Sequence, residues 1–163
     1  MKSKSSLILA ILVFVLFAIA VFFRKMRRLK IHDIRSFSFI YTDSKAVPVE
    51  RCFKLAIKEN KYTASLTDAS SAEGDLLSVD VDKDFVKRLE EMLNRNKVFT
   101  WDRYEKTSNA GADTYKFSIE VYDENGSSVS ARGNGKAPRH FTAVKNDLEV
   151  LFAEIIDKGQ NNV

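Results

Sequence analysis

Between residues 36 and 42 the aromatic positions Phe37, Phe39 and Tyr41 alternate with Ser36, Ser38 and Thr42, a period of two that predicts a half-buried strand. A second strand is expected after Pro48, with Val49, Arg51, Phe53, Leu55 and Ile57 on one face and Glu50, Cys52, Lys54 and Lys58 on the other. The turn Glu59-Asn60-Lys61 leads into Tyr62, Ala64 and Leu66 alternating with Thr63, Ser65 and Thr67, which predicts a meander. A polar loop from Asp68 to Asp75, containing Gly74, precedes a fourth apolar segment, Leu76 to Val81.

At Asp82 the period lengthens. Phe85, Val86, Leu89, Met92 and Leu93 recur at helical spacing while Lys87, Arg88, Glu90 and Glu91 face away, so a helix is expected from about Lys83 to Asn96 with Asp82 as its N-cap. A short connection through Trp101 leads to Tyr115, Phe117, Ile119 and Val121, which alternate with polar residues up to the turn pair Asn125-Gly126. The return strand is Ser128 to Arg132. After a Gly133 to Pro138 loop, Phe141, Val144, Leu148, Leu151, Phe152 and Ile155 trace an amphipathic helix ending near Gly159. The fold class expected is α+β: an antiparallel sheet of about six strands in the order β-β-β-β-α-β-β-α, with two helices on one face.

Ahead of this domain, Leu7 to Phe23 is a run of seventeen uncharged residues, flanked by Lys2 and Lys4 on one side and by Arg24, Lys25, Arg27, Arg28 and Lys30 on the other. The pattern predicts a single-pass membrane anchor over residues 1–30 and a folded domain over residues 31–163. Ala18-Ile19-Ala20 offers a signal-peptidase alternative, and the absence of a cysteine after the apolar run excludes a lipoprotein. The more basic flank leans the domain toward the cytoplasmic side of the cell membrane.

The net charge of +4 belongs to the amino-terminal region. Residues 1–30 hold seven of the 26 Lys/Arg and no acidic residue, so residues 31–163 carry 19 basic and 22 acidic side chains, net −3. A mildly acidic domain lacks the field that draws in a phosphate backbone, and nucleic acid is not expected as a partner. A single cysteine, Cys52, rules out an intrachain disulfide framework and a multi-cysteine zinc site.

No assembled catalytic motif is present. Asp80, Asp82 and Asp84, with Glu91, imitate part of a calcium loop, but Phe85 stands where the sharp turn needs glycine, so capping is the simpler reading and no metal is expected. His32 and His140 are isolated in sequence, and no cofactor is expected. Gly133-Asn134-Gly135-Lys136 lacks the spacing and the Ser/Thr of a Walker loop. Two weaker candidates remain for ligand binding: Arg132, Lys136, Arg139 and His140 with the start of the last helix as an anion site, and Trp101 with Tyr104 as an aromatic platform.

Trp101-Asp102-Arg103-Tyr104, Asp113-Thr114-Tyr115-Lys116-Phe117-Ser118, and Ala131-Arg132-Gly133 through Pro138 to Phe141 form a pattern that resembles uncharacterised single-domain proteins of Firmicutes, some membrane-anchored or lipoprotein-like. Arg103 and Thr114 stand where that pattern has glycines. The resemblance, over about Ile34 to Ile156, implies the fold and carries no activity. The expected function is therefore a membrane-tethered, non-enzymatic binding or sensing domain, contacting lipid through the anchor and a protein or envelope polymer through the sheet's free face or the Trp101 and Gly133 to His140 loops. Its alternatives are a hydrolase or transferase assembled in three dimensions, for instance from Asp102, Asp113 and His140, or a structural accessory subunit of a membrane complex.

Overall fold

The computed structural model describes residues 11–17, 30–43, 49–68, 75–108, 115–124, 126 and 128–160. The chain divides into two units, Met1–Lys30 and Ile31–Val163. In the first, residues 11–17 are helical (α1) and their side chains are exposed. The expected single-pass anchor is corrected here: among the described residues no helix is long and apolar enough to cross a membrane. The readings of a transmembrane helix and of single-pass residence in the cell membrane, with a domain leaning to the cytoplasm, fall with it. The flanking residues 7–10 and 18–23, and the would-be cleavage site, lie outside the described residues.

In the second unit the alternation seen between residues 36 and 67 becomes a sheet. Four strands, β1 (Ile34–Asp43), β2 (Val49–Lys58), β3 (Lys61–Asp68) and β4 (Asp75–Val81), form an antiparallel meander. The β2–β3 turn takes Glu59 and Asn60 into the left-handed region, φ 48° and 65°, the geometry whose twist suits a two-residue hairpin. Helix α2 (Lys83–Arg95) begins at Asp82, whose carboxylate accepts the Phe85 N–H at 2.8 Å. A 3₁₀ turn (Val98–Trp101) follows, then β5 (Glu105–Thr107), β6 (Lys116–Asp123), β7 (Ser128–Asn134) and α3 (Phe141–Gln160).

The sheet has seven strands in the order β4-β3-β2-β1-β6-β7-β5, and it is mixed, because β5 runs parallel to β7. This corrects the expected six-stranded antiparallel sheet and its element order. The missed strand is three exposed residues with no apolar alternation. What makes it a strand is the neighbouring chain: the Arg132 N–H donates to the Tyr104 carbonyl at 2.8 Å, and the Ser108 N–H to the Asn134 carbonyl at 2.8 Å. Arg103, at φ 60°, swings the backbone into that position and donates its own N–H to Ser130.

Both longer helices bury their apolar stripes on the same face of the sheet. Phe53 of β2 meets Phe152 of α3 edge-on at 5.1 Å, and Phe152 meets Phe85 of α2 at 5.4 Å, so one ring joins the sheet to both helices. Arg88 clasps both oxygens of Glu154, and buried Asn96 donates to Asp147 at 2.8 Å, tying α2 to α3 along their length. At the start of the domain Asn94 exchanges two hydrogen bonds with the Ile31 backbone, and the Ile34 N–H donates to Glu90 at 2.9 Å.

Gly133 lies in register with Phe117, and a Cβ added there would come within 2.4 Å of both the Phe117 ring and the Lys136 carbonyl oxygen. Gly133→Ala should therefore cost about 2 kcal/mol, measured by urea unfolding, because a ring and a backbone must both yield.

Burial pushes the Glu90 carboxyl above its ordinary range, against the opposing effect of the Ile34 hydrogen bond. A carboxyl raised in the folded state binds its proton more tightly there, so its contribution favours folding at low pH and is lost as pH rises through the folded value. Glu90→Gln keeps an acceptor for Ile34. It should leave stability at pH 7 unchanged or higher by less than about 1 kcal/mol, given solvent screening of a part-buried group, and flatten the gain seen on acidification. Urea midpoints at pH 7 and pH 4 measure both.

Candidate functional site

With the helices on one side, the strand positions of opposite parity form a face that neither α2 nor α3 covers. Cross-strand register sets its side chains in rows: Ser78, Ser65, Lys54, Ser38, Glu120 and Ser130 make one, and Asp80, Thr63, Ala56, Ser36, Tyr122 and Ser128 another. Most members are short hydroxyl side chains, and Tyr122 stands among them 47% exposed. Cys52 also points to this side, between Ile40 and Thr67. Burial pushes its thiol up, which holds it as the less nucleophilic protonated form.

Where β5 borders the face, a cleft of about 350 Å³ opens. Its floor includes Ile40, Thr42 and Ser118, and its charged groups are Glu50, Lys116, Arg132 and, from the edge strand, Glu105. Arg132 and Glu105 are neighbours in register and joined at 2.6 Å, so the edge strand is held to the sheet by charge as well as by its ladder. Lys106 extends over the Tyr104 ring, with Nζ 5.4 Å from its centre.

A second cavity of about 370 Å³ lies on the helix side, bounded by Tyr41, Tyr115, Pro138, His140 and Lys145. Tyr41 donates its hydroxyl hydrogen bond to Glu149 at 2.5 Å, and Arg51 reaches the same carboxylate oxygen at 3.1 Å. Lys145 Nζ sits 4.7 Å from the centre of the Tyr41 ring. Burial first, then the hydrogen bond and the negative charge of Glu149, raise the Tyr41 phenol far above its ordinary value.

The structure distributes the sequence candidates widely. Trp101 is 2% exposed, and its indole N–H donates to the Arg139 carbonyl at 3.1 Å, so its ring belongs to the core with Phe117 and Phe141. Tyr104 is half-buried against Phe117. Arg132 lines the cleft on the open face while His140 lines the cavity on the helix side, so the two are not brought together. Lys136 and Arg139 are exposed in the connection before α3, and His140 adopts φ 66° there, its carbonyl accepting the Val144 N–H. Asp102 accepts the Ser130 N–H at 3.3 Å, a turn contact, and Asp113 lies outside the described residues. Asp80 faces Lys61 at 3.8 Å, Asp82 caps α2, and among the described residues no cluster of His, Cys, Asp and Glu is placed to hold a metal.

The groups that sequence reading passed over are Glu50, Thr42 and Lys116 in the cleft and Tyr41, Arg51 and Glu149 beside the second cavity. Strand parity put Thr42 and Glu50 on polar faces; nothing local indicated that β1 pairs with both β2 and β6 and so sets them beside Lys116.

The raised Tyr41 phenol favours the fold below its unfolded value near pH 10 and loses that contribution as pH climbs further. Tyr41→Phe should cost about 1–2 kcal/mol from pH 6 to 9, since a hydrogen bond to a carboxylate is lost, and should blunt the alkaline loss of stability. Unfolding midpoints across that range and above pH 10 check both statements. Compared with known proteins, the chain matches no family model and no curated protein.

Proposed function

We propose that residues 31–163 form a non-enzymatic binding domain that meets a protein or polymer partner through the open face of its sheet. The observation that carries the reading is the one-sided packing: α2 and α3 occupy a single face, and the other presents rows of serine and threonine with a cleft at its β5 end. Such a face offers many hydrogen-bonding groups on a rigid ladder, which costs little ordering entropy when a partner binds. Its nearby charges alternate in sign, Lys54, Lys116 and Arg132 against Glu50, Glu105 and Glu120. That balance suits a polar or mixed-charge partner better than a phosphate backbone.

The test places arginines on the two sides of the domain. With Ser118→Arg and Ser130→Arg on the open face, the immobilised full chain should lose a partner that the unaltered protein captures from extracts of its own cells. With Asn146→Arg on the exposed side of α3, capture should persist. A partner indifferent to the open-face changes, or none that depends on them, overturns the reading.

A further inference from the structure

The cleft beside β5 has an ordered arrangement of charge. One cross-strand row runs Glu50, Thr42, Lys116, Asn134, Thr107, and the next runs Ile40, Ser118, Arg132, Glu105. In the second row both charges are already matched, Arg132 to Glu105 at 2.6 Å. In the first row Glu50 and Lys116 are exposed, flank Thr42, and have no ion-pair partner among the described residues. Two strand spacings separate them, so their Cα atoms are about 10 Å apart on the same face. Between them lies the half-buried side chain of Thr42, with half-buried Ile40 beside it in the next row, a floor of modest polarity. Asn134, next in the row, has a shielded Oδ1 without a hydrogen-bond partner among the described residues, an acceptor available to an incoming N–H when its carboxamide turns.

We infer that this cleft takes a short extended peptide with a free amino group at one end and a free carboxylate at the other, the ammonium at Glu50 and the carboxylate at Lys116. Two to three extended residues span roughly 7–11 Å, comparable to the distance between the Cα atoms that carry the two charged side chains, whereas a free α-amino acid spans about a third of it. A cavity of about 350 Å³ has room for a ligand of this size. An anion alone would engage Lys116 and leave Glu50 unmatched, and a cation alone would do the reverse. The inference rests on the open face being the recognition surface and specifies the chemistry recognised at one end of it.

Trialanine, N-acetyl-trialanine, trialanine amide and free alanine are the probes, titrated into the full chain while backbone amide shifts of Thr42, Ser118 and Asn134 are followed. Trialanine should bind, and blocking either end should weaken binding about three- to fivefold, as expected for the loss of one solvent-accessible ion pair. Glu50→Gln should abolish the penalty for acetylation and leave that for amidation; Lys116→Gln should do the opposite. Both side chains are exposed, so neither change should alter the fold. No shift at about 10 mM trialanine, equal binding of the blocked peptides, or equal binding of free alanine overturns the inference. If trialanine fails while Ser118→Arg still abolishes partner capture, the peptide chemistry is lost and the open-face reading stands; if capture is also indifferent to Ser118→Arg, both fail.

Discussion

The domain depends on one contact among three rings. Phe152, with no exposed surface, packs edge-on against Phe53 in the sheet and against Phe85 in α2. The ion pairs between α2 and α3, Arg88 with Glu154 and Arg95 with Asp147, lie at the surface where solvent screens them, so the apolar contact carries more of the packing. With it, the helix pair and the sheet share one apolar core, continued by Phe39, Phe141, Phe117 and Trp101 toward β7. The ring cluster at the β7 end is dense enough that only glycine fits at position 133.

Concentrating burial on one face has a consequence for the other. A sheet strand has two sets of side chains, and a core built on one set leaves the second free of packing demands. In this protein many of the second set are short and hydroxylated, interspersed with charged and aromatic side chains such as Lys54, Glu120 and Tyr122, and the strands are held by their ladders and by the core beneath. The open face is therefore left unfilled by the core, and a recess forms where a three-residue edge strand is attached by a parallel ladder and the Arg132–Glu105 pair. The polar groups that hold the helix side together, Tyr41 with Glu149 and Arg51, and Asn94 and Glu90 with the start of β1, are drawn inward to structural work.

Sequence and structure agree where a residue's role follows from its near neighbours. The alternation of Phe37, Phe39 and Tyr41, the helical spacing from Phe85 to Leu93, the cap at Asp82 and the turn at Glu59-Asn60 were all legible, because each is decided within a few residues. The strand β5 was not, since Glu105-Lys106-Thr107 has no apolar period and is a strand only by virtue of β7. The apolar run from Leu7 does not yield a spanning helix among the described residues: hydropathy measures composition, while spanning a bilayer needs a continuous apolar helix of about 20 residues, and no described helix meets that requirement. The candidate anion site failed to assemble because Arg132 and His140, eight residues apart, straddle the end of a strand, and strand parity sends Arg132 to the face opposite the helices.

By itself, then, the sequence determined the strands and helices that carry an apolar period, which side of each is apolar, and that residues 31–163 carry a small excess of acid, since all of these are properties of spacing and composition. Only the tertiary structure decided the strand order, the parallel edge, the burial of Trp101 and the meeting of Glu50, Thr42 and Lys116 in one row. The physical reason is that those features depend on pairings between separate segments of the chain, whose free energy comes from one shared core and leaves no periodic trace in any single segment.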